Sequence, residues 1–220
     1  MNQHKLFTLL LASSLPIAFA GCHDPISNDY TGESGEIHIS KMGGNIDVDS
    51  APHGANLSTM GGNIHVGSVA ESATLKTMGG GIDVENSTGP IDANTMGGAI
   101  TISTANGPIK ATTMGGDIKV RETGSSTGER DIELSSKGGT IELTVPKDFA
   151  MSVRITLAYT KEDRGYHIEQ HAGLEVQETD DWDHSFGTPR KYIRAAGRVG
   201  NGLNKVSIDT INGDVILRQE

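Results

Sequence analysis

Cysteine is nearly absent from this chain, which has one, Cys22, among its 220 residues. A disulfide bond within the chain is therefore excluded, so packing and hydrogen bonds must hold the fold. Hydrophobic residues make up only 35% of the sequence, and no Phe, Trp or Tyr lies between residues 36 and 145. Because this composition suits a large rounded core poorly, we expect a thin interior filled by small and aliphatic side chains.

Motifs of several enzyme classes are also missing. The sequence has no His-Glu-x-x-His pair and no phosphate-binding loop. Lys and Arg total 18 against 28 Asp and Glu, which gives a formal net charge of -10. Nucleic-acid binding depends on basic side chains that neutralise phosphates, so this charge argues against a nucleic-acid partner. We therefore predict a protein that is not an enzyme, needs no cofactor and binds no nucleic acid.

Glycine is abundant by contrast, with 29 residues, which is about twice the usual ~7%. A strict repeat contains many of these glycines. Thr-Met-Gly-Gly occurs at residues 59–62, 77–80, 95–98 and 113–116, and Lys-Met-Gly-Gly occurs at 41–44. The methionines of these segments are 18 residues apart. A short and strict period of this kind indicates stacked structural units.

Each unit carries two segments of alternating polarity. One follows the glycine pair, as in Ile64-His65-Val66, and the other precedes the methionine, as in Ala73-Thr74-Leu75. Alternation with a period of two predicts strands that bury one face. The same columns recur in every unit, which favours a parallel coil over a stack of hairpins, whose register would have to alternate.

We therefore predict an all-β fold, a right-handed single-stranded parallel β-helix (β-solenoid) made of 18-residue coils. Like residues would stack about 4.8 Å apart. The glycine pair would form a corner, where glycine can adopt a positive φ. We interpret the methionine column as filling for the core or the corner, because a flexible thioether suits a narrow interior. The alternative is an exposed stripe used for binding.

Residues 1–21 are predicted to be an export signal. A basic start is followed by a 15-residue apolar run, Leu6–Ala20, which is shorter than the ~20 residues of a membrane span. The segment Ala20-Gly21-Cys22 resembles a bacterial lipobox, so we predict a lipid anchor of the palmitate type on Cys22. The alternative is cleavage after Ala20, which would leave a free thiol on a soluble periplasmic or secreted protein.

The rest of the chain divides into a tether and a solenoid domain. His23, rather than Asp, follows the cysteine, and by resemblance to Gram-negative lipoproteins this implies transport to the outer membrane. Residues 22–35 are polar and rich in turn formers, which is typical of a tether. The solenoid domain would extend over 36–220. Within it, 161–204 breaks the coil pattern, so we interpret this segment as an insertion that packs aromatic side chains beside the last coils and caps them.

Two sets of side chains are candidates for binding chemistry. The outward column Asp47, His65 and Asp83 could hold a metal or serve glycoside cleavage, although Thr101 and Lys119 continue it without ligand character. The second set is an acidic run around the single tryptophan. It contains Asp180, Asp181, Trp182, Asp183 and His184. Carboxylates there could bind Ca²⁺, or Trp182 could form a sugar platform. A solvated acidic loop is the alternative for this run.

Three segments resemble a widespread bacterial family of domains of unknown function that carries an adhesin label. They are the Gly-Gly-x-Ile-x-Val repeat, Val-Pro-Lys-Asp-Phe-Ala at 145–150 and Thr-Ile-Asn-Gly-Asp-Val-Ile-Leu at 210–217. The resemblance implies a β-solenoid without established catalytic residues. We expect a non-enzymatic, lipid-anchored protein of the cell envelope, an adhesin-like structural or interaction module with a protein or glycan partner. The alternative is a polysaccharide-binding or polysaccharide-cleaving protein that uses the Trp182 region.

Overall fold

The computed structural model of the chain describes residues 28–31, 35–124, 130–160 and 165–220. These residues form nineteen β-strands and no helix. The strands are β1 Asn28–Thr31, β2 Ile37–Lys41, β3 Ile46–Ala51, β4 Ala55–Thr59, β5 Ile64–Val69, β6 Ala73–Thr77, β7 Ile82–Ser87, β8 Ile91–Asn94, β9 Ile100–Ala105, β10 Ile109–Thr113, β11 Ile118–Glu122, β12 Ile132–Ser136, β13 Ile141–Val145, β14 Met151–Thr160, β15 Ile168–Gln170, β16 Glu175–Glu178, β17 Arg190–Val199, β18 Asn204–Ile211 and β19 Val215–Gln219.

Successive strands from β2 to β13 alternate between two sheets. Sheet 1 has eleven strands in the order β1-β2-β4-β6-β8-β10-β12-β18-β14-β17-β16, and sheet 2 has eight in the order β15-β19-β13-β11-β9-β7-β5-β3. Neighbouring coils pair in parallel, and Ile64 lies opposite Ile82, 18 residues further along the chain. The predicted parallel β-solenoid of 18-residue coils is therefore confirmed. Its handedness stays a prediction.

Inward side chains come from alternate positions of both sheets. In β7, Ile82 and Val84 are buried, whereas Asp83 and Glu85 face outward. Among the described residues from Ile46 to Val145, the buried hydrophobic side chains are all Ile, Val, Leu or Ala. Burial of one Ile, Val or Leu side chain contributes about 1.5–3 kcal/mol. Many modest contributions along a thin interior therefore stabilise the coils.

From β4 onward, buried hydroxyls close the corner in front of the glycines. Thr77 Oγ1 donates to the carbonyl oxygen of Gly62 in the preceding coil at 2.8 Å and accepts the N–H of Gly80 at 3.3 Å. The donation to the preceding coil recurs at Thr59, Thr95, Thr113, Ser136 and Thr210. Because a buried polar group must be hydrogen-bonded, this ladder explains why a small hydroxyl residue occupies the position.

The second glycine of each pair is required by a close approach of two backbones. A Cβ on Gly98 would lie 2.1 Å from the carbonyl oxygen of Gly80. The corresponding distance is between 1.9 and 2.1 Å at Gly62, Gly80, Gly116 and Gly139. Positive φ is found at Gly44 (80°) but not at these repeated positions. The expectation that φ explains the corner glycines was therefore wrong, since contact with the preceding coil excludes a side chain there.

The methionine column is exposed, so its interpretation as core or corner filling was wrong. The exposed fraction is 66% for Met42, 50% for Met60, 48% for Met78, 46% for Met96 and 47% for Met114. The preceding residue takes the inward position at the corner, as Thr59 does with an exposed fraction of 2%. The methionine that follows therefore points outward.

Chain order and spatial order diverge after β13. β14 follows β13 in the sequence, yet it pairs with β18, which in turn pairs with β12. In sheet 2, β19 likewise lies between β13 and β15. The coil formed by β18 and β19, which is last in the sequence, is therefore inserted between the β12–β13 coil and the β14–β15 coil.

Antiparallel strands flank both edges of sheet 1. β1 pairs with β2 at one edge, and at the other β17 pairs with β14 and β16 pairs with β17. A bare parallel edge would offer unpaired backbone groups to another chain. Between 165 and 199, the side chains of Tyr166, Ile168, Ala172, Trp182, Ile193 and Val199 pack against the core from this end.

Candidate functional site

A cleft opens at the C-terminal end of sheet 1, where β14, β16 and β17 meet the segment around Trp182. Its volume is about 320 Å³. The lining residues are Tyr159, Gly165, Tyr166, Glu178, Trp182, Lys191 and Ile193. Three aromatic rings, one acid and one base therefore converge on one concave surface. Clefts that combine apolar walls with a few polar groups are the usual sites for small ligands.

Tyr159 and Lys191 help to fix the position of Trp182. Its ring meets the ring of Tyr159 edge-on, with centroids 5.9 Å apart and an interplanar angle of 78°. The Nζ atom of Lys191 lies 5.6 Å from the centroid of the Trp182 ring. Edge-to-face pairs and cations near a ring are both favourable contacts. The hydroxyl of Tyr159 also donates a hydrogen bond to Oε1 of Glu178.

Asp183 holds a turn together. Its backbone exchanges two hydrogen bonds with Arg190, of 2.7 and 3.0 Å. Its Oδ1 accepts the N–H of Ser185 at 2.8 Å, and its Oδ2 accepts the hydroxyl of Tyr192 at 3.1 Å. The hydrogen bonds to Ser185 lower the pKa of the Asp183 carboxyl, because they favour its charged form. Burial, together with the Asp183 carboxylate, raises the pKa of Tyr192.

The acidic run predicted as a ligand site does not converge as a unit. Trp182 lines the cleft and Asp183 anchors the turn, whereas Asp180, Asp181 and His184 are exposed. Within the described ranges, no group of three or more His, Cys, Asp or Glu side chains could hold a metal ion. Of the candidates in this run, the structure therefore favours Trp182 as the ligand-contacting residue.

The outward column on sheet 2 contains one close pair. Nδ1 of His65 lies 2.9 Å from Oδ2 of Asp83, and its Nε2 lies 3.8 Å from Oε1 of Glu85. Asp47, His65, Asp83 and Thr101 line a shallow groove of about 440 Å³. The small residues Gly81 and Ala99 also line this groove. This face of sheet 2 therefore brings His65 close to two acids, Asp83 in the same column and Glu85 beside it.

A buried carboxylate that sequence reasoning missed lies at the end of β11. Glu122 has an exposed fraction of 1%, and its Oε1 accepts the N–H of Gly124 at 2.9 Å. Nε of Arg130 lies 3.6 Å from the same oxygen. Burial raises the pKa of Glu122 from 4.5 to about 7, against the opposing effects of Gly124 and Arg130. Its partner across sheet 2 is Ala105, so a coil alignment could have revealed an acid in a small-residue column.

The segment Gly124–Gly128, Gly-Ser-Ser-Thr-Gly, also matches the Gly-x-Ser-x-Gly pattern of a nucleophile elbow. That elbow sets its serine between a strand and a helix. Residues 125–129 lie outside the described ranges, but β11 precedes them and β12 begins at Ile132. The described residues on either side thus lead from one strand to the next, and the context that an elbow needs is not met.

Cys22 and the predicted export signal lie outside the described residues. Over the part of the chain that the structure covers, no helix is long and apolar enough to cross a membrane.

Together these features define a parallel β-solenoid that carries an aromatic cleft at one end. The chain matches the family model described as Toastrack DUF4097 over residues 26–218, and it belongs to this family of domains of unknown function. The resemblance carried by the Gly-Gly-x-Ile-x-Val repeat is thereby confirmed. Searches of curated proteins and of solved structures found no match.

Proposed function

We propose that the chain is a lipid-anchored protein of the bacterial outer membrane and acts as a non-enzymatic, adhesin-like interaction module. The observation that carries this proposal is the apolar run Leu6–Ala20 followed by Gly21-Cys22. A lipid on Cys22 would explain why the sequence has a single cysteine at that place. The solenoid then serves as a rigid body that presents outward columns to a protein or glycan of the cell envelope.

Metabolic labelling with a palmitate analogue tests the anchor. The wild-type chain should carry label and fractionate with outer membranes, whereas Cys22→Ala should lose both. Ser27→Ala, a small change outside the lipobox, serves as the control and should label like the wild type. A wild-type chain that is exported without label would contradict the anchor, and cleavage after Ala20 would then be the better interpretation.

The cleft around Trp182 supports a second candidate function, the binding or cleavage of an envelope polysaccharide. Aromatic rings stack on sugars through their apolar faces, and the Trp182 ring stands beside Tyr159, Glu178 and Lys191. Glycoside cleavage generally needs two carboxyl groups flanking the bond. Glu178 is the one acid that lines the described part of this cleft. Binding is therefore the stronger form of this candidate.

Affinity electrophoresis through gels with embedded envelope or plant polysaccharides tests this candidate. Retardation by one polysaccharide should disappear in Trp182→Ala. Phe186→Ala should keep it, because Phe186 is an exposed aromatic outside the cleft lining. Turnover of the same polysaccharides, lost in Glu178→Gln, would overturn the non-enzymatic proposal. Unchanged migration of the wild type on all of them would remove the glycan candidate.

A further inference from the structure

Five methionines form an exposed ridge along one corner of the solenoid. This methionine ridge consists of Met42, Met60, Met78, Met96 and Met114. Each side chain is about half exposed or more, with fractions from 46 to 66%. The chain has seven methionines in all, so the ridge contains most of them. An exposed apolar stripe that recurs in five consecutive coils calls for a chemical reason.

The ridge is held in register by the backbone. The residues before Met60 and Met78, Thr59 and Thr77, are direct partners in sheet 1. The N–H of Gly79 donates to the carbonyl oxygen of Met60 at 3.2 Å, which ties one corner to the next. Neighbouring strands in such a sheet lie about 4.8 Å apart. Consecutive methionine side chains therefore start from points at about that separation.

The chemical identity of these residues points to sulfur rather than to apolar contact alone. Ile, Leu and Val fill the inward columns of the same coils, so aliphatic side chains are available to this repeat. The outward corner nevertheless has Met in five successive coils, and the series ends at Lys137 in the sixth. What Met offers beyond an aliphatic residue is a flexible stem and a polarizable thioether. Thioethers are soft ligands that select soft ions such as copper(I).

We propose that the methionine ridge binds a soft monovalent cation, copper(I) or silver(I), through thioether sulfurs of two or three consecutive coils. A zinc–thiolate bond is about 2.3 Å long, and a metal–thioether bond of similar length would let one ion reach two sulfurs up to about 4.6 Å apart. That span is close to the strand spacing of about 4.8 Å, and the flexible methionine stem can cover the difference. Met78, at the centre of the ridge, has ridge neighbours on both sides. The net charge of -10 favours the approach of a cation.

This site is distinct from the oxygen and nitrogen ligands considered above. Hard ions such as Ca²⁺ and Mg²⁺ prefer oxygen and would leave the ridge unoccupied. The proposal does not depend on the lipid anchor or on the Trp182 cleft, so it can fail while both of those stand.

Silver(I) is the first probe because it mimics copper(I) without redox chemistry. The chain would carry Cys22→Ala to remove its only thiol, and its methionine methyl groups would be labelled with ¹³C. Titration should shift the methyl signals of the ridge methionines. The signal of Met151, whose exposed fraction is 0%, should stay in place and serves as the internal control.

The decisive variant is Met60→Leu/Met78→Leu/Met96→Leu in the same background. Leucine preserves the apolar ridge and removes three sulfurs, so we expect copper(I) affinity, measured by competition with a chromogenic chelator, to fall at least tenfold. Met151→Leu should bind like the parent chain. Thermal unfolding should show that both variants fold normally.

Three outcomes would overturn the proposal. They are the absence of silver(I) binding, equal shifts at Met151 and the ridge, and undiminished copper(I) affinity in the triple leucine variant. Self-association of the parent and the triple leucine variant alike, without metal binding, would identify the ridge as an apolar docking surface instead.

Discussion

The coils from β2 to β13 and the C-terminal end built from β14 to β17 close an apolar interior with different side chains. The coils use Ile, Val, Leu and Ala inside and hydroxyls and glycines at the corner. The end uses Tyr159, Tyr166 and Trp182, with Phe149 in the turn that leads into β14, and cations lie near the rings of Trp182 and Tyr192. Each coil packs against a coil of nearly the same sequence, so a bulky inward side chain would recur in five or six successive coils and would have to be accommodated in each of them. The end meets no further copy, and large rings can fill irregular space there.

This difference predicts that the second glycine of a coil pair tolerates a side chain far less well than an exposed glycine of the C-terminal end. Gly98→Ala should destabilise the protein by about 3 kcal/mol, since its Cβ would lie 2.1 Å from the Gly80 oxygen. Gly97→Ala, 3.5 Å from its nearest neighbour, and Gly187→Ala at the end, with nothing within 4 Å, should each change stability by less than about 1 kcal/mol. Urea unfolding midpoints measure all three. Similar losses of stability at Gly98 and Gly187 would contradict the predicted difference between the coils and the C-terminal end.

The second prediction concerns Glu122, a charge buried among the small side chains of the coils. Its pKa is raised to about 7 in the folded state from an ordinary value of 4.5. The folded state therefore holds the proton more tightly, and the stability from this residue is complete below pH 4.5 and is lost as the pH rises through 7. We expect a loss of about 2 kcal/mol or more over this range, because each pKa unit between the folded and unfolded states corresponds to about 1.4 kcal/mol.

Unfolding free energies of wild type and Glu122→Gln between pH 4 and 8 measure this effect. The difference between the two chains should change with pH by the amount stated, because glutamine stays neutral. Glu175→Gln, in the exposed strand β16 of the C-terminal end, is the matched control and should leave the pH profile unchanged. Parallel profiles for wild type and Glu122→Gln would show that Glu122 does not titrate in this range.

The period of the sequence alone was sufficient to predict the coils. Apolar and polar residues alternate along each strand, and equivalent positions recur every 18 residues. The period did not predict that the methionines are exposed. The alternation of buried and outward side chains ends at the buried threonine, and the bend that follows sets the direction of the methionine side chain. The period also failed for the order of the last coils. β14 and β18 both alternate between buried and outward side chains, and Ile155 and Ile208 are buried in each. Such alternation indicates which face of a strand is buried, but it does not indicate which strand pairs with it.

The cleft was predicted only in part for a related reason. Trp182 stands out as the single tryptophan in a run of acids, so composition alone draws attention to it. Its partners Tyr159, Glu178 and Lys191 come from three different strands. No local spacing connects them, because the pairing of β14 with β17 and of β17 with β16 brings them together.

The smallest effect we predict compares two threonines that make equivalent hydrogen bonds in the two regions. Thr95 Oγ1 donates to the Gly80 oxygen at 2.7 Å and accepts the Gly98 N–H at 3.3 Å. Thr179 Oγ1 likewise donates to the Tyr192 oxygen at 3.4 Å and accepts the Tyr192 N–H at 3.0 Å. The hydroxyls differ in their access to water, since Thr95 has an exposed fraction of 1% and Thr179 is half-buried.

Thr95→Val should therefore cost about 1.5 kcal/mol, because it leaves the buried carbonyl of Gly80 and the part-buried N–H of Gly98 without this partner. Thr179→Val should cost less than about 0.5 kcal/mol, since water can replace the lost hydroxyl. Urea unfolding curves of the two variants and the wild type measure both costs. Equal costs would mean that the C-terminal end excludes water as completely as the coils do. The cleft lined by Trp182 and Tyr166 would then be much less accessible to a glycan than its structure indicates.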